Sequence, residues 1–139
     1  MSRTAFALAL FAALTLSGVA MADRVNFHAT LDGKTEVPPK VTNGTGDALA
    51  TLDTKTKTLT YTVTYSGLTG PATMGHFHGP AAPGANAPVV VPFKDPVTSP
   101  IVGTATLTDP QIADLMAGKW YVNVHTAACK PGEIRGDIP

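Results

Sequence analysis

The sequence predicts an all-β domain, a Greek-key β-sandwich or flattened barrel of about eight strands with one short helix. Three observations carry this expectation. Thirteen Gly and twelve Pro in 139 residues exceed average usage of about 7% and 5% and cut the chain into short runs. Those runs are rich in Thr, Val and Tyr and alternate apolar with polar residues at the period of a half-buried strand. Helical spacing occurs in a single segment, and neither an internal repeat nor a linker long enough to separate domains interrupts the chain.

The first 22 residues read as an address. Arg3 forms a positive n-region, Ala5 to Leu16 an apolar h-region, and Ala20-Met21-Ala22 an A-x-A cleavage site. The expected products are a signal peptide, 1–22, and one mature domain, 23–139, released to a bacterial periplasm or secreted. The apolar run is too short for a comfortable membrane span, and no second candidate follows.

In "RVNFHATL" the apolar set Val25, Phe27, Ala29 and Leu31 alternates with Asn26, His28 and Thr30, which places His28 on the wet face. "EVPPKVTNG" is an irregular loop, since paired prolines cannot donate to a central ladder. "TGDALATLD" and "TLTYTVTYSGL" are joined by "DTKTK", a hairpin-length connection, with Leu59, Tyr61, Val63 and Tyr65 alternating against threonines. A histidine strand, "ATMGHFH", precedes the loop "GPAAPGANAP", the apolar strand "VVVPF" and, after another Pro-rich break, "IVGTATLT". The helix falls in "LTDPQIADLMAGKW". Thr108 caps it with Gln111 three residues on, Pro110 suits the first turn, Ile112, Leu115 and Met116 share a face, and Gly118 ends it. "KWYVNVHT" and "GEIRGDI" complete the set as two further strands.

Function is sought first among the four histidines. His76 and His78 are two apart in a strand and point the same way, with Phe77 opposite. In the seventh strand Trp120, Val122 and Val124 take the core face, which turns Tyr121, Asn123 and His125 outward; in the last, Ile134 and Ile138 point in and Glu133, Arg135 and Asp137 out. If the two histidine-bearing strands are neighbours, His76, His78 and His125 converge on one outer face beneath the Gly/Pro loop. Neutral imidazole is the commonest protein metal ligand, and three histidines with open positions suit copper or zinc. Equally, the histidines can be hydrogen-bonded groups that order the loop. His28 is mainly a surface histidine, with a fourth ligand position as its alternative. Cys129, the one cysteine, is a structural residue, a free thiol, an intermolecular disulfide partner or a metal ligand.

Other chemistries find no support. Ten Lys and Arg balance ten Asp and Glu, and no basic stripe offers a nucleic-acid surface. No serine stands in G-x-S-x-G, Cys129 has no nucleophile elbow, and no phosphate loop is present.

"FHATLDGKTEVPP", "GTGDALATLD", "LTYTVTYSGLTGPATMGHFHGPA", "LTDPQIADLMAGKWYVNVHT" and "PGEIRGDI" resemble, in order, the blocks of the CHRD domain, first described in chordin and common in exported bacterial proteins. Cys129 departs from the pattern, where the family usually has an aromatic residue. The resemblance implies an immunoglobulin-like or Greek-key fold. A remoter similarity is to copper-zinc superoxide dismutases, with an H-x-H strand matched by His76 and His78, a later copper-ligating histidine matched by His125, and an arginine beside the copper matched by Arg135. The zinc loop and the disulfide have no counterpart, so that similarity implies a copper-only enzyme in which Arg135 attracts superoxide or another small anion. The expectation is therefore an exported copper-binding domain, with superoxide dismutation as its most concrete reaction. The alternatives are copper buffering or delivery without turnover, and a non-catalytic extracellular module whose loops bind a protein or matrix partner.

Overall fold

A computed structural model describes residues 23–139 and places a strand at each expected run: β1 (Arg24–Asp32), β2 (Thr45–Asp53), β3 (Thr58–Ser66), β4 (Ala72–His78), β5 (Val89–Pro92), β6 (Ile101–Thr106), β7 (Trp120–Thr126) and β8 (Ile134–Ile138), with α1 (Asp109–Met116) between β6 and β7. The expected signal peptide, 1–22, lies outside the described residues. The strands form one sheet in the order β5-β4-β7-β8-β1-β2-β3-β6, with every neighbouring pair antiparallel.

β3 and β4 stand far apart in that order, yet Tyr61 of β3 meets Phe77 of β4 edge to face with ring centroids 5.2 Å apart. The sheet must therefore roll up, and it does so into a nearly closed barrel around one core. Tyr61 also stacks on Phe93 at 4.9 Å, and Phe77 packs against Trp120 at 5.9 Å. The alternating residues Leu31, Leu52, Leu59, Val63, Val122, Val124 and Ile134 fill the remaining space. Each such side chain taken fully out of water contributes roughly 1.5–3 kcal/mol.

Small connections set the register. Asp53 accepts from the amides of Lys55 and Thr56 at 3.0 Å each, which closes the β2–β3 hairpin. The helix begins as its sequence requires: the Gln111 amide donates to Thr108 Oγ1 at 3.3 Å, and the Thr108 amide donates to Gln111 Oε1 at 2.9 Å, a reciprocal capping box. Gly118 follows in the left-handed region, at φ 71°. Of the expected helix face, Leu115 is buried and Ile112 partly buried. Met116 corrects the expectation: it is 52% exposed, because the helix offers the barrel only a narrow stripe.

A larger correction concerns the outer side of β4, β7 and β8. The phase of the side chains is as expected, but Tyr121, Asn123, His125, Glu133 and Arg135 are all buried. The connections 33–44, 79–88 and 127–133 fold back over this quarter of the barrel and make a second, polar layer outside the sheet. Buried polar groups require partners, and the loops supply them.

Candidate metal centre

β4 and β7 are direct neighbours, in register His76 to Asn123 and His78 to Tyr121. His125 lies two residues beyond Asn123 on the same face. This brings His76, His78 and His125 together, with one ring nitrogen from each lying within 4.8 Å of the other two. His76 Nδ1 is 3.1 Å from His125 Nε2. The Asn123 Oδ1 atom sits 2.9 Å from His78 Nε2 and 3.0 Å from His125 Nε2.

The far side of two rings fixes which nitrogen carries hydrogen. His78 Nδ1 donates to the Ala87 carbonyl at 2.9 Å, and His125 Nδ1 donates to the Lys130 carbonyl at 2.6 Å. A carbonyl oxygen only accepts, so in the neutral rings both Nε2 atoms carry bare lone pairs. Asn123 adds a third acceptor between them. Its amide nitrogen is directed the other way, donating to the Pro131 carbonyl at 3.4 Å and facing the Glu36 carboxylate. The reverse amide orientation sets oxygen against that carbonyl and carboxylate. His76 Nδ1 can donate to His125, but His78 Nε2 and Asn123 Oδ1 then still confront each other with no hydrogen between them.

The surroundings disfavour a proton on two of the three rings, His76 and His125. Burial, then the neighbouring His125 and His78, pushes His76 down to about 4. His125 is also lowered, first by burial and then by His78, against the opposing pull of the Lys130 carbonyl. Proton competition for a cation is correspondingly weak near neutral pH. Glu36 is pushed up to about 7 by burial, opposed by Arg135 and the Asn123 amide, and its Oε1 is buried with no hydrogen-bond partner among the described residues. Gly132, at φ 128°, leaves room for this carboxylate; a Cβ there would come within 2.3 Å of Glu36 Oε1.

These blocks occupy residues 27–138, the span over which the chain matches the CHRD domain. The chain belongs to the CHRD domain family. No curated protein and no solved structure matches it. In this CHRD domain no helix among the described residues is long and apolar enough to cross a membrane.

Arg135 is fully buried. Its guanidinium donates to Asp137 Oδ1 at 3.0 and 2.8 Å, to Asn86 Oδ1 at 3.1 Å and to the Ala85 carbonyl at 2.9 Å. It also lies 3.6 Å from the centroid of the Tyr121 ring. His78 stacks on Tyr121 at 4.6 Å, so the Tyr121 ring separates the guanidinium from the imidazole. His28 stands apart on β1, with Nε2 2.8 Å from Asp47 Oδ1, and neither it nor Cys129 belongs to the donor cluster. Cys129 sits in the loop that carries Lys130, its amide donating to Thr126 Oγ1 at 3.2 Å.

Sequence reasoning missed five contributors. Asn123 was legible, since it shares the phase of His125. Tyr121 had the same signal, but Glu36 and the carbonyls of Ala87 and Lys130 had none, because loop paths place them. Glu133 is a further buried carboxylate, held by the Thr69 amide and hydroxyl and by Thr126, and it ties the loop after β3 to the end of β7.

Proposed function

We propose that this CHRD domain is an exported copper-binding protein in which His76, His78 and His125 hold the ion, with Asn123 Oδ1 beside it. One observation carries the reading: two imidazoles committed to carbonyls through Nδ1 aim bare Nε2 atoms at the same small volume as an amide oxygen. Converging acceptors without hydrogens repel unless a proton or a metal cation lies among them, and burial works against the proton on His76 and His125. Imidazole donors suit copper, with zinc as the alternative. Bound there, copper supplies one-electron chemistry between its two oxidation states. The chain's own part is to present neutral nitrogens, fix ring orientation through backbone carbonyls, and cover the His78 and His125 side of the cluster with the loops 33–44, 79–88 and 127–133.

Holding or delivering copper is favoured over superoxide dismutation by the placement of Arg135, whose guanidinium is fully buried and occupied by Asp137, Asn86 and Ala85. The deciding experiment is metal analysis of protein from periplasmic extract and of the mature domain reconstituted with copper or zinc, for wild type and His78→Ala. One equivalent of copper in wild type and little in the variant is expected. Equal, negligible metal in both overturns the reading. Dismutase activity of copper-loaded protein above a free-copper control would restore the enzymatic form.

A second reading, an extracellular module that binds a protein partner, is favoured by Val41, which is fully solvent-exposed in the loop 33–44. Pull-down of a partner by the wild type that fails with Val41→Asp, with metal absent from both, would favour it.

A further inference from the structure

The geometry points to Met74 as a thioether ligand at the edge of the same centre, biasing it toward Cu(I); this inference rests on the histidine-site reading above. Met74, His76 and His78 share one face of β4, while Gly75 and Phe77 are buried on the other. Met74 also stands directly across from His125 of β7. Opposed residues of an antiparallel pair have Cβ atoms about 4.5–5.5 Å apart, within reach of a side chain as long and flexible as methionine. Met74 thus adjoins two of the three imidazoles by backbone placement alone.

The core does not account for this residue. Met74 is 47% exposed, a large apolar side chain left at the surface, and it is not among the residues packed on the hydrophobic cluster. β4 bulges between Ala72 and Met74, and bulges commonly re-aim the side chains beside them. His76, its neighbour on the strand, is less buried than His78 and His125. The cluster therefore opens to solvent on the Met74 side, where an ion enters and leaves.

The donor chemistry distinguishes metals. A thioether is soft and uncharged, so it favours Cu(I) and adds little for Zn(II). It carries no titratable proton, and with neutral imidazoles it leaves a buried Cu(I) site with a single positive charge, which limits the desolvation cost.

The test compares wild type with Met74→Leu, which keeps the apolar bulk and removes the sulfur. Cu(I) affinity is measured anaerobically by competition with bicinchoninate, and Zn(II) affinity by competition with a chromophoric chelator. The expected result is Cu(I) binding weaker by about tenfold in Met74→Leu with Zn(II) unchanged, and a sulfur scatterer in the copper X-ray absorption spectrum of wild type that the variant lacks. Unchanged Cu(I) affinity, or a wild-type spectrum without sulfur, overturns the role of Met74 and leaves the histidine site standing. A parallel loss of both metals in the variant also overturns it, as a packing effect. Wild type that takes up neither metal overturns the histidine site itself.

Discussion

His78 and Tyr121 lie ring on ring, with centroids 4.6 Å apart and planes 3° from parallel. The pair joins the metal candidate to the loop 79–88, because the Tyr121 hydroxyl accepts from the Ala87 amide at 3.0 Å and donates to the Ala87 carbonyl at 3.2 Å. That carbonyl is also the acceptor for His78 Nδ1.

Tyr121→Phe keeps the stack and removes the hydroxyl. It leaves the Ala87 amide without its acceptor, at a cost of about 1–3 kcal/mol. Urea unfolding of the metal-free domain is expected to show that loss, with copper affinity lowered only through a looser loop. No change in the midpoint would mean that the loop is not held by this residue.

Arg135→Lys preserves the charge and loses the planar fork that reaches Asp137, Asn86 and Ala85 together. Breaking a buried, hydrogen-bonded charge arrangement costs about 3–5 kcal/mol. Thermal unfolding should place the lysine variant well below wild type. A variant with wild-type stability would show that the fork is dispensable.

The pH dependence of folding contains two opposed contributions. Glu36 ionises near 4.5 when unfolded and about 7 when folded. Below pH 4.5 both states are protonated; as pH rises toward 7 the unfolded chain ionises first, so stability falls and stays lower above 7. His76, held to about 4 against an ordinary 6.5, acts in the other sense: acidification from 6.5 to 4 protonates the unfolded chain first and lowers stability. Glu36→Gln is therefore expected to exceed metal-free wild type in stability at pH 7.5, by an amount of the order of 3 kcal/mol. The difference should shrink to nothing near pH 4. Denaturant curves at pH 4, 5.5 and 7.5 check this, and a gap independent of pH would contradict it.

Copper should stabilise the fold by mass action. At free metal one hundred times Kd the gain is about 2.7 kcal/mol, visible as a rise in Tm that chelator reverses. The rise should vanish in His125→Ala. An identical rise in that variant would place the bound metal elsewhere.

The strands were legible because period-two alternation at Leu59, Tyr61 and Val63 needs only local sequence, and the capping box at Thr108 is likewise local. The convergence of His76, His78 and His125 followed from phase once β4 and β7 were neighbours. Phase, however, says which way a side chain points and not what lies above it. Tyr121, Asn123 and Arg135 point away from the core and are nonetheless buried, since segments distant in sequence return to cover them. Glu36 reaches the site from the loop 33–44, which offers no periodicity to read.

Ala87 and Lys130, whose carbonyls hold the two rings, each stand directly before a proline, Pro88 and Pro131. A following proline confines the preceding residue to extended backbone, and so narrows the directions in which its oxygen can aim. The pyrrolidine rings act as goniometer stops for the imidazoles, although neither touches them through a polar atom. The side chains at 87 and 130 take no part in these two contacts, so the aim of each oxygen depends on the proline that follows it more than on the residue that carries it.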